Sequence, residues 1–343
     1  MPICFRAANA RSCKVSSYYG GCFMRARILY HDHCFDGAAS AAFFSRFLEA
    51  RLGENVTFAY TGLAHKATQL FDDGMFDGDV NAIVDFKYST NPRLTWWFDH
   101  HQSAFLSPED AEHWKRDTSG QKLYDPAFQS CTKFIATVTR ERFGFDGADL
   151  DELVTWADIV DGAQYPSAQE AVELRSAAAK LTLVIEGVNG SDIVQHVIRL
   201  MRRQKLDAIV EDPAIQAQYA PLYERHVGSI DVIRERAHYA HRVVSFDLTD
   251  LGMEGYNKFI PYYLYPDSIY TVSVSTSSFR TKVSVGSNPW APREPRHNLA
   301  SICERYGGGG HPRVGAISFP IGAVDDARRA AAEIREILGS EDP

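Results

Sequence analysis

The sequence predicts an α/β fold: an N-terminal, mainly parallel sheet flanked by helices, a helical linker, and a smaller C-terminal α/β domain with a mixed sheet. Three observations predict it. Apolar runs of strand length alternate with helical segments from Ala26 to Val160, the pattern of βαβ units. From Ala168 to about His241 only helical spacing is found. After Arg242, β-branched residues alternate with polar ones at period two, which suits half-buried strands. With 343 residues the chain has room for about two domains of roughly 150 residues each. The expected divisions are a leader over 1–23, a first domain over 24–166, the linker over 167–241 and a second domain over 242–343.

Each element has a local reason. The leader carries Arg6, Arg11 and Lys14 but no apolar core of signal-peptide length, and Met24 directly precedes the first strand, so translation is expected to start at Met24 or the leader to be disordered. Ala26 to Tyr30 reads as a strand, His31 to Gly37 as a turn, and Ala38 to Ala50 as a buried helix with Phe43, Phe44, Phe47 and Leu48 on helical spacing. Val56 to Tyr60, Val80 to Val84 and Leu94 to Phe98 are further strands, and a helix is expected around Ala64 to Phe71. Thr132 to Phe143 and Asp149 to Val160 are helices, and Tyr165-Pro166-Ser167 closes the first domain. In the second domain, Val243 to Phe246, Tyr270 to Ser275, Arg280 to Val285 and Val314 to Phe319 read as strands. Leu299 to Tyr306 and Ala323 to Leu338 read as helices.

Composition narrows the function classes. A net charge of −8 argues against non-specific binding to long duplex DNA, while leaving room for a local basic pocket. No apolar run reaches the ~18 residues of a membrane span. The six cysteines form no CxxC pair, which argues against a zinc ribbon or disulfide scaffold and for a reduced, cytoplasmic compartment.

The chemistry gathers at strand ends. Three apolar strands end in His31 and Asp36, in Asp85, and in Asp99-His100-His101. In an open parallel sheet, ligands bind beyond the carboxyl ends of the strands. Carboxylates and imidazoles placed there suit manganese, iron, zinc or magnesium. Asp158 and Asp161 are three apart on one helix face, so either reaches such a site. Gly307 to Gly310, with His311 next, lies between a helix and a strand. Backbone N–H groups there can turn toward an anion with no side chain in the way.

The ordered set His31-x-x-Cys34-x-Asp36-Gly37, Asp85, Asp99-His100-His101, an acid in Trp156 to Asp161, and Gly-Gly-Gly-Gly-His-Pro resembles the DHH phosphoesterases with their associated C-terminal domain. It is similar to the oligoribonuclease (nanoRNase) and RecJ-like branch. The resemblance spans Ile28 to Phe319. It implies one or two Mn2+ ions, with Mg2+, Zn2+ or Fe2+ as other occupants. The implied ligands are His31, Asp36, Asp85 and His100, plus Asp158 or Asp161, with Asp85 bridging. It implies that His101 meets the scissile phosphate and Asp99 orients a neighbouring histidine. Arg280, Gly308, Gly309, Gly310 and His311 would grip the substrate. Cys34 stands where many relatives carry Asp. A thiolate suits zinc or iron better than manganese, so Asp32 or His33 is the alternative donor.

The expected activity is hydrolysis of phosphodiester bonds in short single-stranded oligonucleotides. The alternatives are a phosphatase of a small phosphate ester, cyclic-dinucleotide intermediate or polyphosphate, and a catalytically weak oligonucleotide-binding protein. The oligomeric state stays open, a homodimer included.

Overall fold

The computed structural model describes residues 24–64, 71–253 and 255–340. The expected leader, and nearly all of the helix expected around Ala64 to Phe71, lie outside these residues. The first unit runs β1 (Met24–His31), α1 (Phe35–Leu52), β2 (Val56–Leu63), β3 (Val80–Val84), β4 (Trp96–Asp99), α2 (Pro108–Lys115), β5 (Lys122–Tyr124), α3 (Cys131–Phe143) and α4 (Asp151–Asp161). Helices α5 (Ala168–Glu173), α6 (Ala177–Gly187), α7 (Asp192–Met201), α8 (Leu206–Val210) and α9 (Pro213–Arg236) follow. The second unit holds β6 (His238–Ala240), β7 (Val243–Asp247), α10 (Ile260–Leu264), β8 (Tyr270–Thr276), β9 (Thr281–Ser287), α11 (Leu299–Glu304), β10 (Gly309–His311), β11 (Val314–Phe319) and α12 (Val324–Ser340).

Ile28, Leu29 and Tyr30 are fully buried because β1 sits inside the first sheet and is covered on both faces. The strand order is β2-β1-β3-β4-β5, and every pair is parallel. The chain leaves β1 for β2 on one side and returns to β3 on the other. The crevice between the ends of β1 and β3 is therefore the switch point at which open α/β sheets bind ligands. Helix α1 lies on this sheet through its alanines, while Phe44 and Phe47 meet Trp96 at ring distances of 5.7 and 5.5 Å. Gly37 makes the junction tight: a Cβ there would come 2.1 Å from the His31 carbonyl oxygen. The first turn of α1 thus begins directly under the end of β1.

The helical segment behaves differently along its length. Leu181, Val184, Ile185, Val194, Val197, Ile198 and Met201 share one apolar cluster with α1 and the sheet, so α6 to α8 complete the first core. Helix α5 and the end of α9 instead pack with Val244, Phe246, Phe259 and Tyr262 of the second unit. No described helix is long and apolar enough to cross a membrane.

The second sheet has the order β10-β11-β9-β8-β7-β6, with β7 and β8 parallel and the other pairs antiparallel. Two local expectations are corrected here. His238 to Ala240 forms an edge strand rather than a helix end; three residues, two of them exposed, carry no periodic signal. Gly309 to His311 is also a strand, paired with β11, rather than an open loop. The glycines are needed for that pairing. A Cβ on Gly308 would lie 2.3 Å from the Ala316 carbonyl oxygen, and one on Gly310 2.2 Å from that of Val314.

Candidate metal centre

Asp85 is the centre of the arrangement. It follows β3 with a φ of 58°, a left-handed conformation uncommon for a residue with a side chain. Its amide donates to the Phe98 carbonyl at 2.9 Å, which ties the strained turn to β4. The buried carboxylate faces two sets of partners. Oδ2 lies 3.3 Å from His31 Nδ1. Oδ1 lies 3.4 Å from His100 Nε2 and 3.8 Å from His101 Nδ1. Two groups of donors stand within mutual ligand reach, His31–Asp85–His101 and Asp36–Asp85–His100, and Asp85 belongs to both.

Asp36 enters from the first turn of α1. One of its oxygens accepts from the Cys131 amide at 2.6 Å. The other accepts from the Thr132 amide at 3.0 Å and the Thr132 hydroxyl at 2.6 Å. The carboxylate therefore sits on the N-terminus of α3, where exposed N–H groups favour an anion. His100 Nδ1 faces the Phe128 carbonyl at 3.0 Å, which directs Nε2 inward to 3.8 Å from Asp36 Oδ2 and 3.5 Å from Asp161 Oδ2. Asp158 is held elsewhere: its Oδ1 accepts from the Ser130 hydroxyl at 3.0 Å. Phe128, Ser130 and Thr132 escaped the sequence reading. Only Ser130, a helix N-cap, leaves a recognisable local signal.

Burial and crowding of charge set the titration. Burial, with the Asp85 and Asp161 charges added, pushes Asp36 up. Burial and Asp85 push Asp161 up to about 6. Burial also works against charge on Asp85, but the His100 and His31 rings facing its two oxygens, with His101 nearby, outweigh it and hold this carboxyl low. For His100, burial opposes the cation and is overcome by Asp85, Asp36 and Asp161, which raise the ring to about 10. Three carboxylates thus converge, Asp36 and Asp85 buried and Asp161 partly open to solvent. Both Asp85 oxygens and His100 Nε2 are buried without a hydrogen-bond partner. Such groups are costly unless compensated, and a hard or borderline divalent cation supplies that compensation for O and N donors. The residues fit a metal.

The remaining expected residues spread out. Cys34 precedes α1 and belongs to neither donor group; burial, then Asp85, pushes its thiol up. Asp32 accepts from the Tyr30 hydroxyl and from Ser191, and His33 Nδ1 faces the Ile185 carbonyl, so both are engaged at the helical layer. His101 Nδ1 lies 2.7 Å from Asp99 Oδ1, which also accepts the His100 and His101 amides. Arg280 donates to Ser318 at 2.8 Å. It lies beside the Thr281–Phe319 end of the β9–β11 ladder, whereas His311 pairs with Val314 at the other end. Five strand steps, roughly 17 Å, separate these ends.

Comparison with family models and with curated proteins gives no match. Among solved structures, a pGpG-specific phosphodiesterase, PggH from Vibrio cholerae, superposes with a TM-score of 0.65 at 19% identity, covering 93% of this chain and 100% of that one. An exopolyphosphatase-related protein from Bacteroides fragilis gives 0.56 at 14% identity, covering 93% and 94%. RecJ from Thermus thermophilus, in complex with Mn2+, gives 0.51 at 12% identity, covering 94% of this chain and 53% of that one. The chain has the two-unit fold of the DHH phosphoesterases.

Proposed function

We propose that this protein is a metal-dependent phosphoesterase that hydrolyses phosphodiester bonds of short oligonucleotides, with Mn2+ as its working ion. The observation that carries the reading is the buried Asp85 carboxylate at the sheet's switch point, with His31 at one oxygen and His100, beside Asp36, at the other. His31, Asp36, Asp85, His100 and Asp161 would hold the metal, and Asp158 would brace the start of α3 through Ser130. When bound, divalent ions there would lower the pKa of a water and neutralise phosphoryl oxygens.

The chain's own residues have separate tasks. Burial opposes charge on His101, but its bond to Asp99 and the nearby Asp85 raise the ring, favouring an imidazolium. With Nδ1–H committed to Asp99, the Nε2–H is left to donate to a phosphoryl oxygen and to stabilise charge there in the transition state. Asp99 acts as a positioning residue. The amides of Gly308 to Gly310 and the side chain of His311 would hold the substrate's far end, and Arg280 a separate part. The net charge of −8 favours short substrates over long polyanions. The phosphodiesterase and Mn2+-bound exonuclease named above support the bond type and the ion.

The test is mononucleotide release from labelled RNAs of about two to five nucleotides with Mn2+, for wild type, Asp85→Ala and His100→Ala. Release by wild type and its loss in both variants is expected. A folded, metal-loaded wild type that releases nothing from RNA but frees phosphate from polyphosphate would overturn the substrate assignment.

A further inference from the structure

Asp161 is the least supported donor of the metal centre. Asp36 is held by three hydrogen bonds, and His100 is aimed by the Phe128 carbonyl. Among the described residues nothing donates a hydrogen bond to the Asp161 carboxylate, which stands 3.5 Å from His100 Nε2. Its place is set by its backbone, at the last residue of α4. That helix end is closed by a turn. The amides of Gly162, Ala163 and Gln164 donate to the Asp158, Val160 and Ile159 carbonyls at 3.1, 3.2 and 2.8 Å. Ala163 takes the left-handed conformation, with a φ of 52°, that such a helix end uses. The turn leaves little slack between Asp161 and Tyr165.

Tyr165 is held by the second unit. Its carbonyl accepts the indole N–H of Trp290 at 2.8 Å. Its ring meets Phe259 edge to face at 5.7 Å, and Phe259 meets the Trp290 ring at 5.4 Å. Trp290 follows β9 and is anchored there. Its amide donates to Asn288 Oδ1 at 2.9 Å, and the side-chain amide of the buried Asn288 donates to the Pro266 and Ser268 carbonyls at 3.1 and 2.8 Å. Helix α4 is divided between the units in the same way. Leu153, Val154 and Ala157 lie in the first core, while Ile159 and Ala163 pack with Phe246, Phe259 and Tyr262.

Resting on the metal-centre reading above, we propose that Trp290 is a positioning residue for Asp161: from the second unit its indole N–H pins the Tyr165 carbonyl and, through the closed turn, sets how Asp161 meets the metal. The two units thus build the centre jointly, and the metal has its full donor set only while the second unit is seated on α4. Trp290→Phe isolates the effect, because it keeps a ring against Phe259 and removes the N–H alone.

The test measures Mn2+ affinity of the full chain without substrate, reading the free ion by electron paramagnetic resonance, for wild type, Trp290→Phe, Asp161→Ala and the double variant. The control is Trp114→Phe, which removes an indole bond to the Lys122 carbonyl within the first unit. Trp290→Phe should weaken Mn2+ binding about 3- to 10-fold, the worth of one hydrogen bond. Asp161→Ala should weaken it at least about tenfold. In the double variant, Trp290→Phe should add nothing to the loss from Asp161→Ala. Trp114→Phe should bind as wild type does, and melting curves of the metal-free proteins check that each variant is folded. Unchanged affinity in Trp290→Phe, an equal loss in Trp114→Phe, or losses that add in the double variant would overturn the role of Trp290. A wild type that binds no Mn2+ would overturn the metal-centre reading itself.

Discussion

The imidazole of His101 is fixed to the carboxylate of Asp99 by a 2.7 Å contact between Nδ1 and Oδ1. The same oxygen accepts the main-chain amides of His100 and His101, so one carboxylate shapes the whole turn after β4. Asp99→Asn keeps the shape and removes the charge. It should lower kcat about 10- to 100-fold, with KM and metal content nearly unchanged. Steady-state kinetics with metal analysis decide this; an unaltered kcat would remove Asp99 from the mechanism.

Thr132→Val deletes the hydroxyl that binds Asp36 at 2.6 Å and leaves both backbone donors in place. A hydrogen bond to a charged group is worth about 1.5–3 kcal/mol. Denaturant unfolding of the metal-free variant should register a loss of that order, and metal affinity should fall with it. A loss confined to stability would mean that Thr132 serves only the helix start.

Metal binding should release protons. In the metal-free protein His100 is raised to about 10, so at pH 7 its Nε2 carries a proton that a ligating nitrogen must give up. Affinity should therefore increase as pH rises toward 10. Below about pH 6 protonation of Asp161 adds to the penalty. Calorimetry in buffers of different ionisation enthalpy measures the proton count; buffer-independent heats would contradict the assignment of His100.

Gly37→Ala tests the junction between β1 and α1. Its new methyl would meet the His31 carbonyl oxygen at 2.1 Å, a backbone contact that no rotamer relieves. Since Asp36 and His31 flank that contact, stability and metal affinity should decline together. Gly53→Ala serves as a control for backbone strain: its φ of 85° is also positive, but it has open space around it, so it should lose stability alone.

The sheet was readable in the sequence because parallel strands buried on both faces leave continuous apolar runs, as in Val80 to Val84 and Trp96 to Phe98. The donors at strand ends were readable for a related reason, since nothing apolar explains Asp85 or His100 there. What stayed hidden depends on tertiary approach. Asp158 and Asp161 share a helix face, and only the position of Ser130 separates their surroundings. The Phe128 carbonyl that orients His100 is a backbone group with no residue signature. The glycine run was legible only as a segment between a helix and the Val314 strand, and the close carbonyls of Val314 and Ala316 make it a strand of its own.

The first sheet packs its two faces into separate apolar clusters, one around α1 and one around Trp97; the second sheet packs under α12, and a fourth cluster joins α4, α5 and α9 to the second unit. Cooperativity follows shared packing, and α9, with Leu222 in the first core and Ile233 in the last cluster, ties the units into one cooperative body. A ligand confined to the first sheet's crevice therefore raises the unfolding transition of the whole molecule in proportion to its binding. Calorimetry with and without Mn2+ would then show a single peak that moves with loading of the metal centre, and a second, fixed peak would show that the units melt apart.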